Sequence, residues 1–532
     1  MHISLNYSPA LLFNTMGVGQ VIGSTTLRSF KFVIKEGEES KVKRDEFVTV
    51  DESVSGKKIL GVVKDIVISN ELLPDEFGRD LRMEDIILKE GEYPVPIVKV
   101  LGVDNDGSLE LPRHGVKPGS TVELASDELL EKILHQDPAK SARIGTISTR
   151  ENVPVYVSIN DMISRHCAIL AMTGAGKSYT VGVLIEELMA KKGSVVVFDP
   201  HGEFKGMRFE KSDVVVYDIE GANRIKVDVN SLGTSDFVNL MPDLTTTQRD
   251  LLEEVIGLAD RFYEEYDLSN ILSILEIVYD SKKGDVKKKK EDDEDKESNG
   301  EKKVETFDSG LMKGITKKVT LPTIGALMRR IQRLERMGVF SIKGTPLENI
   351  VSKNQLTIIN LSEAEERVSE IVVSAVCRRI FDARKKFLKD EREGMSIPTF
   401  IILEEAHNFA PRADEGDYIP SRGIIKKIAR EGRKFGVGLC VVSQRPGKLD
   451  QDVLSQCNTQ IIMKIVNPAD QEYIRQTVES VTEDVVRDLP SLARGEAIVA
   501  GSAIKLAVPV KIRKRTTKVG GEDIDIVGVW NS

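Results

Sequence analysis

The sequence predicts an α/β fold, in which a parallel sheet carries helices on both faces, preceded by an all-β domain and interrupted by a helical insertion. Three observations lead to it. Residues 17–125 form short β segments separated by turns, and beyond residue 150 apolar strands alternate with long amphipathic stretches. Within that second region, 244–280 and 321–340 place Leu and Ile at helical spacing.

The N-terminal segments favour β structure by composition. Phe30–Ile34, Phe47–Val50, Ile59–Val63 and Ile97–Val103 are rich in Val, Ile, Phe and Thr, and turn residues such as Lys117-Pro-Gly119 lie between the segments. Several short strands at this spacing are typical of a small barrel or sandwich.

Length and composition limit the classes of protein to which the chain can belong. A chain of 532 residues suggests two to four domains, and 75 basic against 84 acidic residues give a net charge of −9. Four scattered cysteines without a C-x-x-C pair argue against a disulfide framework or a cysteine zinc site and favour a reducing compartment. The apolar runs are too short to span a bilayer, and we see no secretion signal. Net acidity does not exclude a local nucleic-acid surface.

The change of pattern along the chain suggests domain boundaries. We expect a barrel with its linker at 1–150, an α/β core in two parts at 151–243 and 351–500, a helical insertion at 244–350, and a tail at 501–532. Inside the insertion, Lys282–Lys303 contains nine Lys and eight Asp or Glu among 22 residues, that is 9 + 8 = 17 charges. Such a segment buries too little to offset its ordering entropy, so we predict a mobile loop rather than a nucleic-acid tail.

A glycine-rich turn is the sharpest motif in the chain. Ala168–Ser178 runs from an apolar strand through a turn into a helix, and its pattern matches G-x-x-x-x-G-K-[ST] except that Ala171 replaces the first glycine. Backbone N–H groups of such a turn bind phosphate, the lysine reaches the β- and γ-phosphates, and the serine hydroxyl ligates Mg²⁺. The sequence therefore predicts ATP and Mg²⁺ binding, with nucleotide contacts from Thr173, Gly174, Ala175, Gly176, Lys177, Ser178 and Tyr179.

Two acids follow a second apolar strand. Thr399–Leu403 leads into Glu404 and Glu405. We expect Glu404 beside Ser178 at the Mg²⁺ ion and Glu405 as the base that polarises the attacking water. A further strand ends in Asp199 and Glu203, which are alternative candidates to face that water, whereas His201 beside them is weak evidence.

Only one phosphate-binding turn is present, which suggests that a neighbouring copy completes the site. Arginine fingers are worth about 10³–10⁵ in rate, and a single-lobe motor usually obtains one from an adjacent subunit. Arg430 and Arg433 precede a strand that ends in Gln444, whose amide is a candidate γ-phosphate sensor. Solvated helix arginines are the alternative reading of either arginine alone.

Taken together, the motifs resemble the HerA-type hexameric DNA translocases of archaea, within the HerA/FtsK group of RecA-like P-loop ATPases. The residues that carry the likeness are Ser164–His166, Met172–Ser178, Asp199–Glu203, Glu404–Phe409, Arg430–Gly436, Ser443–Pro446 and Leu454–Thr459. Gly19–Ile34 is similar to the start of that family's HAS barrel.

The resemblance implies a homohexamer that hydrolyses ATP, pumps double-stranded DNA through a pore, and resects DNA breaks with a NurA-type nuclease. Carried over by position, Arg165 contacts nucleotide, Arg430 is the finger supplied in trans, and Lys505–Arg515 belongs to a tail that packs on a neighbouring subunit. It also implies a cytoplasmic, nucleoid-associated protein.

DNA contacts are predicted less sharply than nucleotide contacts. Tracking a DNA backbone needs Lys or Arg in the pore, and the candidates are Lys205, Arg208, Arg412 and Arg422, each of which solvated surface charge explains equally well. Two other functions compete with translocation: a ring ATPase that unfolds or remodels proteins, and a nucleotide-gated binding module that does no mechanical work.

Overall fold

The computed structural model describes residues 17–70, 92–291, 309–412, 418–518 and 530. The chain divides into two compact units. The smaller comprises Met1–Asp137, Gly145–Tyr156 and Val508–Lys511, and the larger comprises Pro138–Ile144, Val157–Ala507 and Ile512–Ser532.

The smaller unit contains a closed antiparallel barrel. Its strands are β1 (Gly19–Ile22), β2 (Ser29–Ile34), β3 (Phe47–Asp51), β4 (Lys58–Asn70), β5 (Glu92–Asn105), β6 (Ser108–Glu110) and β7 (Thr121–Leu124). They follow the order β2-β1-β7-β3-β4-β5, pairing of β2 with β5 closes the ring, and β6 adds to β5 as a hairpin. The strand pattern was typical of a small barrel or a sandwich, and the structure shows the barrel. A short helix, α1 (Asp127–Leu134), follows.

Alternating side chains fill the barrel. Phe32, Val48, Val98 and Val122 are fully buried in its core. At Gly61, which lies beside a register shift between β4 and β5, an added Cβ would stand 2.4 Å from Val98, so close strand packing requires glycine there.

Three strands each begin in one unit and end in the other, because the boundaries between the units fall within them. They are β8 (Ser141–Ile147), β9 (Arg150–Ser158) and β20 (Val508–Ile512).

The larger unit is built on a sheet whose central strands are almost wholly buried. Its strands in this unit are β10 (Cys167–Leu170), β11 (Ser194–Asp199), β12 (Asp213–Tyr217), β15 (Gln355–Asn360), β16 (Thr399–Leu403), β17 (Val437–Ser443), β18 (Thr459–Met463) and β19 (Glu496–Gly501). Their order is β12-β15-β11-β16-β17-β10-β18-β19, and all neighbours are parallel except β18 and β19. The predicted fold class, a RecA-like α/β core with an N-terminal all-β barrel and inserted helices, is confirmed.

Helices cover this sheet: α2 (Ile159–Ser164), α3 (Lys177–Ala190), α10 (Glu366–Lys389), α11 (Pro420–Phe435), α12 (Gln451–Ser455), α13 (Pro468–Thr477) and α14 (Glu483–Asp488). Apolar runs such as Val195–Phe198 need helices on both faces, because both sides of a parallel strand are removed from water. Within the described residues, no helix has the length and apolar composition needed to cross a membrane.

The insertion contributes α4 (Thr234–Leu240), α5 (Thr246–Phe262), α6 (Leu268–Glu291), α7 (Ser309–Lys318), α8 (Leu321–Met337), α9 (Leu347–Ile350) and the paired short strands β13 (Val227–Asp228) and β14 (Phe340–Ser341). A capping box at Thr245 and Gln248 starts α5, and Gly338 in the left-handed region ends α8. Leu252 and Ile271 join the same hydrophobic core as Val196 of the sheet, so the insertion packs into the core rather than standing apart.

The charged segment differs from its prediction. We expected a loop from Lys282, but α6 continues through Glu291. Lys and Glu are good helix formers, so low hydrophobicity does not prevent extension of an existing helix. Residues 292–303 of the predicted loop lie outside the described residues.

Candidate functional site: a nucleotide-binding turn facing two carboxylates

The glycine-rich turn joins β10 to α3 as predicted. Gly174 (φ 80°) and Gly176 (φ 106°) adopt left-handed conformations that disfavour other residues. The Thr180 hydroxyl donates to the Gly176 carbonyl at 3.0 Å and the Gly495 N–H donates to the Ala175 carbonyl at 3.1 Å, which fix the turn from both sides. Ala171, the departure from the motif, is fully buried at the strand end.

The turn faces the two acids across one intervening strand. Glu404 and Glu405 follow β16, which is separated from β10 by β17. The Lys177 Nζ lies 3.1 Å from Glu404 Oε2 and forms an ion pair and hydrogen bond with Glu405 Oε1. The structure therefore brings together the three residues that the sequence assigned to the phosphates, the metal and the water.

Burial controls the electrostatics of this cluster. Desolvation raises the pKa of Glu404 to about 7, against the opposing charge of Lys177. The same desolvation works to lower the pKa of Lys177, but Glu404 and Glu405 outweigh it and the net pKa is raised. Lys177 is therefore charged at neutral pH, while Glu404 lies near the midpoint of its titration.

The cluster fits a divalent cation. Glu404 Oε2 is ion-paired with Lys177, whereas the buried Oε1 has no hydrogen-bond partner among the described residues, and leaving such an oxygen without a partner is costly. Ser178, in the first turn of α3, adds a hydroxyl. Hard oxygen donors of this kind suit Mg²⁺, and Glu404 and Ser178 are the residues that would hold it.

Glu405 lies in an unfavourable backbone conformation and contacts a histidine that we did not predict. Its φ of 48° is in the left-handed region, at a cost of about 1–3 kcal/mol. Its Oε2 is 3.4 Å from His407 Nδ1, which in turn lies 3.1 Å from the Ser443 hydroxyl. Burial lowers the pKa of His407, so the ring is neutral at neutral pH. The signal in the sequence that could have identified His407 was its Glu-Glu-x-His spacing from Glu404 and Glu405.

Gln444, the predicted sensor, follows β17. Its Oε1 accepts a hydrogen bond of 2.5 Å from the Thr173 hydroxyl, within the phosphate-binding turn. The structure therefore brings Gln444 to the turn.

Of the two alternative acids, Asp199 is occupied by its own turn. Its carboxylate accepts hydrogen bonds from the backbone N–H groups of His201, Glu203 and Phe204, at 2.9–3.3 Å. Burial raises the pKa of Asp199, and these bonds oppose the rise. Asp199 thus stabilises the turn, and Glu203 is the freer of the two to face a water.

The predicted arginines lie at the surface of the chain. Arg430 is exposed on α11 and pairs with Asp452 at 2.5 Å, and Arg433 is exposed near the same helix end. Arg165 is exposed before β10, at the opposite end of that strand from the phosphate-binding turn. The structure does not bring these arginines to Lys177, and their roles stay predictions.

The four candidate DNA contacts each have an intrachain interaction. Lys205 pairs with Asp218 and Arg422 with Asp450, both at 2.9 Å. The Arg208 guanidinium donates to the Lys205 and Met207 carbonyls, and that of Arg412 lies over the Tyr473 ring. These contacts hold the four side chains to different partners and do not gather them into one basic surface, so DNA binding stays a prediction.

The tail contacts its own chain through Arg513–Thr517, and packing of Lys505–Arg515 on a neighbouring subunit stays a prediction. Buried Glu186 on α3 accepts hydrogen bonds from Arg513, from the Thr516 and Thr517 N–H groups, and from the Thr517 hydroxyl, at 2.7–2.8 Å. The backbone N–H of Arg515 donates to Tyr179 Oη at 2.6 Å. A buried carboxylate needs charged and polar partners, and Glu186 directly after the apolar residues Val183–Ile185 was the signal for these contacts in the sequence.

The chain matches two described domain families and is similar to several named proteins. Residues 142–380 match the family described as the central domain of helicase HerA, and residues 18–123 match the HAS barrel domain. The DNA double-strand break repair helicase HerA of Pyrococcus furiosus is 33% identical over 97% of this chain and 96% of its own length. The protein of the same name from Saccharolobus solfataricus is 30% identical, with 97% and 96% covered.

A solved structure, VirB4 of Thermoanaerobacter pseudethanolicus, is also similar. It covers 71% of this chain and 98% of its own at 17% identity, with a TM-score of 0.48. Because these relatives are 30–33% identical over 96% of their own lengths, the chain belongs to the HerA family of helicases, as its motifs predicted.

Proposed function

We propose that this protein is an ATP-driven DNA translocase and helicase that forms a homohexamer and acts with a NurA-type nuclease in resection of DNA double-strand breaks. The observation that carries the proposal is the buried cluster of Lys177, Glu404 and Glu405 at the phosphate-binding turn. The relatives named DNA double-strand break repair helicase, similar over nearly their whole length, support the substrate.

The cluster supports hydrolysis of ATP to ADP and phosphate by a division of roles. In this proposal Lys177 binds the β- and γ-phosphates, and the N–H groups of Thr173–Tyr179 surround them. Mg²⁺ held by Ser178 and Glu404 would supply charge neutralisation for the phosphates. Glu405 orients and deprotonates the attacking water, and Gln444 detects the γ-phosphate.

A second subunit completes this site in the proposal. The exposed Arg430 guanidinium pairs with Asp452 at the surface, and in this proposal it leaves that pair to reach a neighbouring chain's nucleotide. A ring of six chains then gives each site one neighbour, and Arg165 would contact nucleotide in the same assembly.

DNA binding rests on basic side chains at the pore. Lys205, Arg208, Arg412 and Arg422 are the candidates. The ion pair of Lys205 with Asp218 is exposed and weak enough to be exchanged for phosphate, whereas Arg422 would first have to leave the buried Asp450. Such contacts read no sequence and weaken as salt rises.

The test is the ATPase rate of the full-length protein with duplex DNA, together with the mass of the assembly by light scattering. We expect a hexamer whose rate is stimulated by DNA, and a stimulation that falls with increasing salt. Stimulation by unfolded polypeptide but not by DNA would instead identify a protein-remodelling ATPase. A monomer stimulated by neither would identify a binding module.

A further inference from the structure

We propose that His407, oriented by Ser443, is a positioning residue that holds Glu405 in place when the Lys177 ammonium is engaged by nucleotide. The inference rests on the proposed ATPase function and deepens it, because it names what keeps the base aligned during hydrolysis. Nothing in the motif pattern assigned His407 or Ser443 a role.

Glu405 has two buried contacts on its two oxygens. Oε1 pairs with Lys177, and Oε2 lies 3.4 Å from His407 Nδ1. Phosphate of a bound nucleotide competes for the lysine, since that is what a lysine in this turn binds. The contact through Oε1 is therefore weakened at the moment when the carboxylate must be aligned, and the contact through Oε2 is not.

The backbone does not hold Glu405 by itself. Its left-handed φ of 48° is a conformation that a glutamate does not prefer, so surrounding contacts must stabilise it. A second histidine, His201, has its Nε2 3.7 Å from Oε1, but 56% of its side chain is exposed, against 9% for His407. The buried ring is the stronger anchor, because solvent screens the exposed one.

The surroundings select one form of the His407 ring. Nδ1 faces two oxygens, Ser443 Oγ at 3.1 Å and Glu405 Oε2 at 3.4 Å. Glu405 Oε2 is buried and has no hydrogen-bond partner among the described residues, so in this proposal the ring proton is on Nδ1, the nitrogen that faces this oxygen. Ser443 Oγ also accepts the Arg445 N–H at 3.0 Å, which fixes the hydroxyl at the end of β17.

Ser443 also links this arrangement to the phosphate-binding turn. The next residue, Gln444, accepts a hydrogen bond from Thr173. The end of β17 thus contacts the turn on one side and, through His407, the catalytic carboxylate on the other, so the ring is oriented by the strand that senses the nucleotide.

The experiment compares two isosteres in the full-length assembly. In His407→Asn the amide nitrogen occupies the position of Nδ1, whereas in His407→Gln it extends to the position of Nε2. We expect kcat for ATP hydrolysis to fall about threefold or less for Asn and about 10–100-fold for Gln, the size expected of a misaligned base. The KM for ATP and the affinity for ATPγS should stay within about twofold, because a positioning residue acts after binding.

A double variant separates positioning from a general structural effect. Combining His407→Gln with Glu405→Gln should give no further loss beyond that of Glu405→Gln alone, since His407 acts only through Glu405. If the fall in kcat of the double variant were the product of the two single falls, His407 would act on the fold or on binding instead. A rise in KM without a fall in kcat would show the same. Ser443→Ala, which removes the orienting oxygen, should lower kcat in the same direction and provides the test if His407→Gln does not assemble.

Two further results would overturn the proposal. One is wild-type turnover by His407→Gln. The other is transfer of the loss to the matched variant His201→Gln, which we expect to keep kcat within about twofold because of the exposure of its side chain. The assay measures basal hydrolysis, so a wild-type protein that DNA fails to stimulate would remove the translocase proposal and leave this one standing.

Discussion

At the scale of single residues, Lys177 lies between two buried carboxylates. We predict that Lys177→Ala weakens ATP binding at least about tenfold and reduces turnover to background, because the phosphates lose their cation. Fluorescence titration with an ATP analogue and a phosphate-release assay measure the two effects. Lys389→Ala, at the exposed end of α10, is the control and should behave as wild type. Unchanged turnover by Lys177→Ala would remove the assignment of the turn.

Glu405 should separate binding from hydrolysis. Glu405→Gln keeps the size and hydrogen-bonding capacity of the side chain but not its basicity, so we predict normal ATP affinity with a rate reduced about 10²–10⁴-fold. Single-turnover hydrolysis after rapid mixing gives the rate of the chemical step. Normal hydrolysis would transfer the role of base to Glu203 in preference to Asp199, whose oxygens accept backbone hydrogen bonds.

Glu404 should make the stability of the nucleotide-free protein depend on pH. Its pKa is raised by burial from 4.5 to about 7, so the folded state holds the proton more tightly and the stability from this group is lost as pH rises from 4.5 through 7. At 1.36 kcal/mol per unit, the upper bound is about 3 kcal/mol. We predict that Glu404→Gln and wild type melt alike at pH 4.5 and that the variant melts higher at pH 8. A constant difference between the two pH values would contradict the shift.

The sequence predicted the residues whose chemistry is written in local motifs and missed those defined by tertiary contacts. Lys177, Glu404 and Glu405 come from segments more than 200 positions apart, yet each follows a recognisable strand, so their meeting could be expected. Ser443 contacts His407 only because β17 lies between β10 and β16, an order that hydrophobic pattern alone does not specify. Local periodicity defines strands, whereas pairing across a sheet depends on the whole chain.

At the scale of elements, α3 and the segment Arg513–Thr517 form a unit that depends on one glycine. A Cβ at Gly182 would lie 2.5 Å from Arg515 Cζ, and the Arg515 side chain is 1% exposed. Alanine normally favours a helix by roughly 1 kcal/mol over glycine. Here we predict that Gly182→Ala instead destabilises by about 1–3 kcal/mol, because Arg515 is displaced.

Limited proteolysis and thermal melting check this prediction together. Trypsin should cleave Gly182→Ala faster near Lys511–Arg515 than wild type, since a displaced segment is accessible. Adding Arg515→Ala in the same chain removes the clash and should restore the melting temperature toward that of the Arg515→Ala variant alone. A Gly182→Ala protein that melts higher than wild type, with unchanged cleavage, would show that helix propensity outweighs the contact.

The insertion shows how far composition predicts an element. Leu and Ile at helical spacing correctly indicated α5 and α8, because an apolar stripe is the cause of their packing. The same reasoning ended α6 too early, since residues beyond Lys282 have no such stripe. An apolar stripe indicates that one face of a helix is buried, but the end of the stripe does not mark the end of the helix.

At the scale of the whole molecule, the change of pattern near residue 150 anticipated an all-β domain before an α/β core, because period-2 alternation and buried apolar runs are distinct signals. The strand pattern alone left a barrel and a sandwich open, because closure depends on pairing of β2 with β5, whose paired residues are 66–70 positions apart. The resemblance to the HAS barrel predicted the barrel, and the structure confirms it. The proposed assembly is harder still to predict from one sequence. An interface between copies is marked in a single chain only by exposed residues such as Arg430.

Mixing two inactive variants tests whether sites are shared between chains. If Arg430 acts in trans, Arg430→Ala chains keep a working Glu405 but give their neighbours no arginine, and Glu405→Gln chains do the opposite. A site is complete where an Arg430→Ala chain has a Glu405→Gln neighbour on the arginine-supplying side. Random co-assembly at equal amounts makes about one interface in four complete, so we predict about a quarter of the wild-type rate if sites fire independently. Co-expression with two different affinity tags isolates mixed assemblies for the phosphate-release assay, and the ratio of the two chains should change the rate through a maximum near equality. If instead Arg430 serves its own chain's nucleotide, no ratio restores activity, because every chain then lacks one of the two groups.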